Sequence, residues 1–297
     1  MTVTAEVAGG LAALSSAFLF TVATALFQRT TKAVPAAGIN LFKDVLAVVV
    51  LAMVVTWRGW QPLPMHAFTL LGLSGLLGIT VGDTAYFLAL SRLGARRTVL
   101  LDTLSPVITT LLAIVMLHEA LGQRQWLGIC MTLAGITTVM TEPAATPSEE
   151  GEPEHPWTGW LFGVASLCCH AGGVILSKQA LAEVSSLDAT LVRLGCSTLA
   201  LLVAGLWGRR MLEWVRPLAD RETLLTLICA AFLGTFLAMW LAQAALAMTQ
   251  ASLASTLNAT GPIFVLGVAR FGLGETVSRR AVLGALLAVA GAVTLLM

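Results

Sequence analysis

The chain has 297 residues, of which 57% are hydrophobic and 11% are charged, and its formal net charge is +1. Soluble domains carry about 25% charged residues, so this composition excludes a soluble globular protein and indicates a polytopic membrane protein. The net charge does not indicate a partner, but no stretch of the sequence is basic enough to suit a nucleic acid, so none is predicted.

A helix that crosses a membrane needs about 20 mostly apolar residues. Segments of this kind are predicted at 7–27, 36–56, 67–90, 97–117, 124–141, 158–178, 188–207, 222–246, 249–270 and 279–297. Between the fifth and sixth of these ten helices lies 142–157 (EPAATPSEEGEPEHPW), which is rich in Pro, Glu and Gly. This composition resists both helix formation and burial, so it predicts a flexible linker.

The chain contains two similar halves, 7–141 and 158–297. Rare residues recur in register at an offset of 156: Pro106 and Pro262, Glu119 and Glu275, Arg124 and Arg280. Upstream, the offset is 150, as in Lys43 and Arg193 or Trp57 and Trp207. Each half holds five predicted helices, and five is odd, so the second half enters the membrane upside down. We therefore predict an all-α polytopic membrane protein of ten transmembrane helices in two inverted five-helix repeats, an architecture of secondary transporters.

Glycines recur at one spacing in the fifth and tenth predicted helices, as Gly128 and Gly135 and as Gly284 and Gly291. A spacing of seven residues is almost two helical turns, so each pair lies on one helix face. Small residues on one face predict close helix packing within the membrane.

Lysine and arginine predict the orientation, because cytoplasmic loops carry an excess of both. We call the membrane surface on which the N-terminus lies side B and the opposite surface side A. Thirteen Lys and Arg residues then fall on side A and four on side B. This count predicts that side A is cytoplasmic and that both termini lie on the other side.

Three segments of the first half and two of the second carry a family resemblance. They are GDTAYFLALSRLGA (82–95), LSPVITTLLAIVMLHEAL (104–121), RQWLGICMTLAGI (124–136), LNATGPIFVLGVARFGLGE (257–275) and RRAVLGALLAVAGAV (279–293). Each half has a proline within a helix, a glutamate that ends this helix and a glycine-bearing helix after it. In this layout, over nearly its whole length, the chain resembles the EamA branch of the drug/metabolite transporter superfamily.

The resemblance implies ten helices, a central cavity between the halves and alternating access. It also implies cytoplasmic termini, contrary to the charge count. Familiar relatives export amino acids or other small metabolites, or exchange phosphorylated compounds.

Polar side chains within membrane helices are costly and mark transport pathways. Lys43 lies about two turns into the second predicted helix from side A, Asp83 and Tyr86 lie near the side A end of the third, and Asp102 lies near the side A start of the fourth. The second half places a further set near side B, which comprises Arg193, Gln243 and Asn258.

These positions suggest two gates related by the repeat. Side A would close through Lys43 with Asp83 or Asp102, and side B through neutral hydrogen bonds around Arg193 and Asn258. In the alternative interpretation, Lys43 and Arg193 extend to lipid headgroups and the acids face interfacial water.

Pro106 and Pro262 are predicted hinges. A proline inside a helix removes one backbone hydrogen bond and clashes with the preceding turn. It would free the carbonyl groups of Asp102 and Asn258, four residues earlier, for a substrate ammonium. The alternative is a static kink whose carbonyls are satisfied by neighbouring helices.

Further candidates have weaker support. His170 lies mid-helix and would take a proton or bind the substrate, or it donates to a packed carbonyl. Trp240 and Tyr86 would stack on an apolar part of the substrate, or they anchor the helix at the interface. Glu119 and Glu275 end their helices and are interpreted as structural.

One enzyme class deserves comparison. Residues 72–75 (GLSG) match the GxSG form of rhomboid intramembrane serine proteases, and 170–173 (HAGG) loosely resembles their histidine motif. A serine–histidine pair suffices for nucleophilic catalysis. However, GxSG has low specificity in a glycine-rich helix, and those proteases lack two five-helix copies. The chain has no HExxH, Walker A or GxGxxG motif, and no enzymatic activity, cofactor or metal is predicted.

We therefore expect a secondary transporter in the bacterial inner membrane that exports amino acids or similar amphipathic solutes. Its partners are the substrate, the lipid bilayer and, through Asp83, Asp102 or His170, protons; exchange and simple facilitation remain alternatives. The second function is the exchange of anionic metabolites or sugar phosphates with Lys43 and Arg193 as ligands. Both a monomer and a homodimer fit the sequence.

Overall fold

The computed structural model of the chain describes residues 3–31, 33–59, 62–93, 98, 101–102, 104–140, 156–267 and 278–296. Within these ranges all the regular elements are helices. They are α1 (Val3–Thr30), α2 (Ala36–Arg58), α3 (Met65–Leu93), α4 (Ser105–Met116), α5 (Gln123–Met140), α6 (Pro156–Ala180), α7 (Ser186–Trp207), α8 (Met211–Val215), α9 (Arg221–Met248), α10 (Ala251–Asn258), α11 (Gly261–Gly267) and α12 (Arg279–Leu296).

Six of the described helices, α1, α2, α3, α6, α7 and α9, are long and apolar enough to cross a membrane. The all-helical fold is therefore confirmed, and six of the ten predicted crossings are supported by length and composition. Helix α4 has 12 residues, and α5 and α12 have 18 each. Most of the predicted linker, 142–155, and Glu275 lie outside the described residues.

The repeat is visible in the residues at which helices begin. Helices α2 and α7 begin at Ala36 and Ser186, which are 150 residues apart. Three later pairs begin 156 residues apart: α3 and α9 at Met65 and Arg221, α4 and α11 at Ser105 and Gly261, α5 and α12 at Gln123 and Arg279. The described helices of the two halves therefore follow one pattern.

Helices α3 and α9 share an internal irregularity. The middle of α3 is π-helical over Gly75–Asp83, and the middle of α9 is π-helical over Ala231–Ala238. A π-helical segment shifts the register of the side chains that follow it and often occurs at functional sites. In α3 it ends at Asp83, one of the predicted site residues.

The two prolines lie at helix starts, which corrects the predicted mid-helix position. Pro106 is in the first turn of α4. Pro262 is the second residue of α11, which begins three residues after α10 ends at Asn258. The first turn of a helix tolerates proline because its N–H groups have no intrahelical partner there. In both halves, the interruption of the helix therefore precedes the proline.

Glycines bring α5 and α12 together, as their spacing predicted. A Cβ atom on Gly135 would lie 2.7 Å from the Cβ atom of Ala288, and one on Gly128 would lie 2.7 Å from Cγ of Leu295. Glycine permits this approach because it has no side chain. The last described helices of the two halves therefore pack directly against each other.

Candidate functional site

A cavity of about 250 Å³ lies between the helices of the two halves. Its wall includes side chains from α1, α2, α3, α6, α7, α9 and α10. Of the predicted site residues, it is lined by Lys43, Asp83, Tyr86, Asp102, His170, Arg193, Gln243 and Asn258. Residues from the two halves therefore converge on one space, as the central-cavity model implies.

Trp240 is placed differently from the prediction. The residues that line the cavity do not include it, and its ring stacks on Phe236, with ring centroids 6.4 Å apart and an interplanar angle of 20°. Trp240 follows the π-helical segment of α9, where the helical register has shifted. Its ring therefore packs within α9 and does not present a stacking surface to the cavity.

Lys43 is the centre of a buried ion cluster. Its Nζ atom lies 2.8 Å from Oδ1 of Asp44 and 2.7 Å from Oδ2 of Asp83. The side chains of Lys43 and Asp44 are 3% and 0% exposed, whereas Asp83 is 14% exposed. Lys43 therefore does not extend to lipid headgroups in this structure, and its partner among the two proposed acids is Asp83.

Asp44 was not among the predicted site residues. Its second carboxylate oxygen accepts a hydrogen bond of 2.7 Å from the hydroxyl of Ser197 on α7, and Ser197 in turn accepts one of 3.1 Å from Thr80. Residues from both halves of the chain, Lys43 and Ser197, therefore bind this carboxylate. A signal was present in the sequence, because Asp44 is a second charged residue within the same predicted helix as Lys43.

His170 binds the other face of the cluster. Its Nε2 atom lies 2.7 Å from Oδ1 of Asp83. Gly82 makes this approach possible, because a Cβ atom there would lie 2.7 Å from Cδ2 of His170. The carboxylate of Asp83 therefore joins a lysine of α2 to a histidine of α6.

The serine–histidine pair of the protease alternative is not formed. The hydroxyl of Ser74 donates a 2.6 Å hydrogen bond to the carbonyl of Gly173, while His170 is bonded to Asp83. Ser74 is fully buried. Its neighbours identify it as a helix-packing residue between α3 and α6.

Arg193 faces the same cavity from α7. A Cβ atom on Gly78 would lie 3.5 Å from Nη2 of Arg193, so the glycine leaves room for the guanidinium. Its Nε atom is buried and has no hydrogen-bond partner. None of the ion pairs among the described residues includes Arg193 or Asp102.

Charged side chains make polar contacts on side B, where the second gate is predicted. No hydrogen bond in the described part of the chain joins Arg193 to Asn258. Instead, the carboxylate of Glu119 accepts bonds of 2.6 Å from the N–H of Ala251 and 2.7 Å from the hydroxyl of Ser252, at the start of α10. Lys178 of α6 donates bonds of 2.6 Å to the carbonyls of Leu246 and Thr249. Two charged side chains thus hold the α9–α10 hairpin on side B.

Comparisons with known proteins agree with this architecture. A solved crystal structure of another protein matches the fold with a TM-score of 0.73 and 18% sequence identity, over 96% of this chain and 95% of that chain. The model of the EamA-like transporter family matches residues 7–141 and again residues 157–297. Two matches of one family model account for most of the sequence and coincide with the two repeats of helices. This chain is therefore a member of the EamA-like transporter family, a multi-pass membrane protein that transports small solutes.

Proposed function

We propose that the chain exports small zwitterionic metabolites, amino acids among them, by alternating access across the bacterial inner membrane. The cavity volume of about 250 Å³ supports a small solute, because pockets for drug-sized ligands measure about 300–1,000 Å³. The cavity wall carries two cations, Lys43 and Arg193, and two carboxylates, Asp83 and Asp102. Such a wall complements a solute that carries both charges.

The observation that carries the proposal is that Arg193 forms no ion pair with the described residues. A guanidinium without a carboxylate partner in a low-dielectric cavity is a strong ligand for a substrate carboxylate, to which it donates two parallel hydrogen bonds. Asp102 lies close enough to Asp83 to interact electrostatically. These acids provide the complementary end for a substrate ammonium, toward side A from Arg193.

The exchange of anionic metabolites is the second candidate, and the ion cluster argues against it. An anion of two charges would need both cations of the cavity as ligands. The ammonium group of Lys43 already contacts two carboxylates, so only Arg193 is available. An anion bound to Lys43 would leave the displaced carboxylate without a cation, and an uncompensated buried charge is costly.

Counterflow into liposomes tests the proposal. Purified protein is reconstituted with a labelled mixture of amino acids or with labelled sugar phosphates, and exchange is measured at equal internal and external pH. We expect exchange of amino acids, with a concentration dependence that Arg193→Gln weakens roughly 10- to 100-fold because a charged hydrogen bond is lost.

The matched control is Arg124→Gln, which removes an exposed arginine at the start of α5. This variant should exchange like the parent protein. Exchange of sugar phosphates without amino acids would establish the second candidate, and equal exchange by the Arg193→Gln protein would refute the role of Arg193.

We further propose that the Asp83–His170 pair carries a proton that is coupled to export. With His170 neutral, Lys43, Asp44 and Asp83 have a net charge of −1, and one proton on the pair makes the cluster neutral. A fluorescent pH indicator inside the liposomes should report proton movement when amino acid is added. His170→Gln should abolish this proton movement while amino-acid counterflow persists. A parent protein that moves no protons would contradict proton coupling and would favour simple facilitation or exchange.

A further inference from the structure

The connector between α7 and α9 is longer than its counterpart in the first half. Residues 59–64 join α2 to α3, whereas residues 208–220 join α7 to α9. The offset between the halves changes from 150 to 156 across this connector, so the extra residues are inserted here. They form helix α8 and a 3₁₀ turn, Arg216–Ala219. The insertion is therefore an ordered addition to one repeat only.

Trp214 fixes α8 to the helices beneath it. Its side chain is 7% exposed and packs with Leu41 of α2 and Leu201 of α7. A Cβ atom on Gly38 would lie 3.1 Å from Cβ of Trp214, and one on Gly205 would lie 2.6 Å from Cζ3. The two glycines thus leave space for the indole to pack against the side A ends of α2 and α7.

The outer surface of the connector combines apolar and cationic side chains. Leu212 is 77% exposed and Val215 is 47% exposed, and Trp207, at the end of α7, is 90% exposed. The exposed arginines of this region are Arg209, Arg210, Arg216 and Arg221. None of them takes part in the ion pairs of the described residues.

The acidic residues nearby do not neutralise these arginines. Glu213 and Asp220 are the two carboxylates of the connector. Asp220 accepts hydrogen bonds from the N–H and hydroxyl groups of Thr223, at 2.9 and 2.7 Å, and these bonds lower the pKa of its carboxyl group. Asp220 is therefore the N-cap of α9, and four arginines outnumber the three carboxylates of Glu213, Asp220 and Glu222.

We propose that the α8 connector binds the headgroup phosphates of anionic phospholipids at side A. It joins the ends of two helices that are suited to cross the membrane, so it lies at the membrane surface. Exposed apolar side chains beside arginines are typical of segments that lie in the interface, and arginine is well suited to bind phosphate. Because Trp214 seats on Gly38, five residues before Lys43, a bound lipid would also steady the side A end of α2.

The test compares lipid binding by the full-length parent protein and Arg209→Gln/Arg210→Gln/Arg216→Gln. Native mass spectrometry from detergent, with phosphatidylglycerol and phosphatidylcholine of identical chains in competition, reports the headgroup that is retained. We expect preferential retention of phosphatidylglycerol by the parent. The preference of the triple variant for phosphatidylglycerol should be roughly 10- to 100-fold lower than that of the parent, since each arginine raises the affinity for an anionic surface about fivefold.

The control is Arg124→Gln/Arg279→Gln/Arg280→Gln, which removes the same charge at the exposed starts of α5 and α12 and should bind like the parent. Phosphatidylglycerol should also raise the unfolding temperature of the parent and the control but not that of the α8 variant. A parent without headgroup preference, an equal loss in both variants, or an unchanged preference in the α8 variant would overturn the proposal.

Discussion

The two carboxylate partners of Lys43 differ in their access to the cavity. Asp44 is completely buried and also bound by Ser197, whereas Asp83 lines the cavity and is bound by His170. A buried lysine without a partner is very costly, whereas one that retains a single good partner is tolerated. Lys43 can therefore stay at Asp44 when a substrate ammonium or a proton occupies Asp83.

Replacing Lys43 tests whether the ion cluster is held by charge balance. Lys43→Met leaves Asp44 and Asp83 without their common cation, and we expect a loss of about 3–5 kcal/mol in the free energy of unfolding. Lys43→Met/Asp44→Asn removes one of the two uncompensated charges and should recover part of that loss. Denaturant unfolding of the detergent-solubilised proteins measures both. A double variant that is less stable than Lys43→Met would contradict charge balance.

At the level of single residues, the sequence identified the titratable side chains of the cavity wall but not their pairings. Depth along predicted helices placed Lys43, Asp83 and Asp102 together, since a helix rises 1.5 Å per residue. Depth does not give the rotation of each helix, so Asp83 and Asp102 remained equivalent partners for Lys43. Asp44 follows Lys43 by one residue, which points its Cβ atom about 100° away. The flexible lysine side chain reaches it nevertheless.

At the level of helices, hydropathy predicted where most segments lie but not their internal breaks. The third predicted helix, 67–90, is longer in the structure, Met65–Leu93. The π-helical segments of α3 and α9 leave no trace in hydropathy, because they change the hydrogen-bond pattern and not the composition. The breaks before Pro106 and Pro262 were expected as kinks, since a proline signals a disturbance without fixing its position.

The contact between α5 and α12 provides a prediction about glycine. Gly135→Ala places a methyl group against the backbone of α12 and should lower the unfolding free energy by about 1–3 kcal/mol, because the helices must separate. The control is Gly195→Ala in α7, where a Cβ atom would have no neighbour within 4 Å. It should be neutral or slightly stabilising. Thermal unfolding in detergent measures both, and equal losses would contradict the packing argument.

Glu119 provides a second prediction at this level. Its carboxylate caps the start of α10 on side B, where the N–H groups of a helix favour negative charge. Glu119→Gln should weaken this cap and increase opening toward side B. A cysteine at Ser255, which lines the cavity, should then react faster with an impermeant thiol reagent applied from side B, in a background without the native cysteines.

Glu183→Gln is the control for the Glu119 experiment, because it neutralises an exposed glutamate whose partner is His66 near side B. The reaction rate at position 255 should remain that of the parent background. Equal reaction rates in the Glu119 and Glu183 variants would show that Glu119 does not contribute to the closure of side B.

At the scale of the molecule, polar contacts join the two halves at side B and within the membrane. Arg58 pairs with Asp188 at 2.6 Å, Asp83 binds His170, and Glu119 caps α10. The halves therefore do not behave as two independent domains. In alternating access, contacts on one side must break while those on the other persist. In this structure, Glu119 and Lys178 make such contacts on side B.

The distribution of lysine and arginine predicts the orientation of the whole chain. Side A carries thirteen of the seventeen Lys and Arg residues, and three of them, Arg209, Arg210 and Arg216, lie in the α8 connector. Because cytoplasmic loops retain such residues, we expect side A to face the cytoplasm, although typical relatives of the family keep cytoplasmic termini. Alkaline phosphatase fused after the C-terminus should then be active and green fluorescent protein should be dark. Fusions after Gly208 in the connector should give the opposite pair of signals. Fluorescence at the C-terminus with phosphatase activity at Gly208 would show that the family orientation prevails over the charge count.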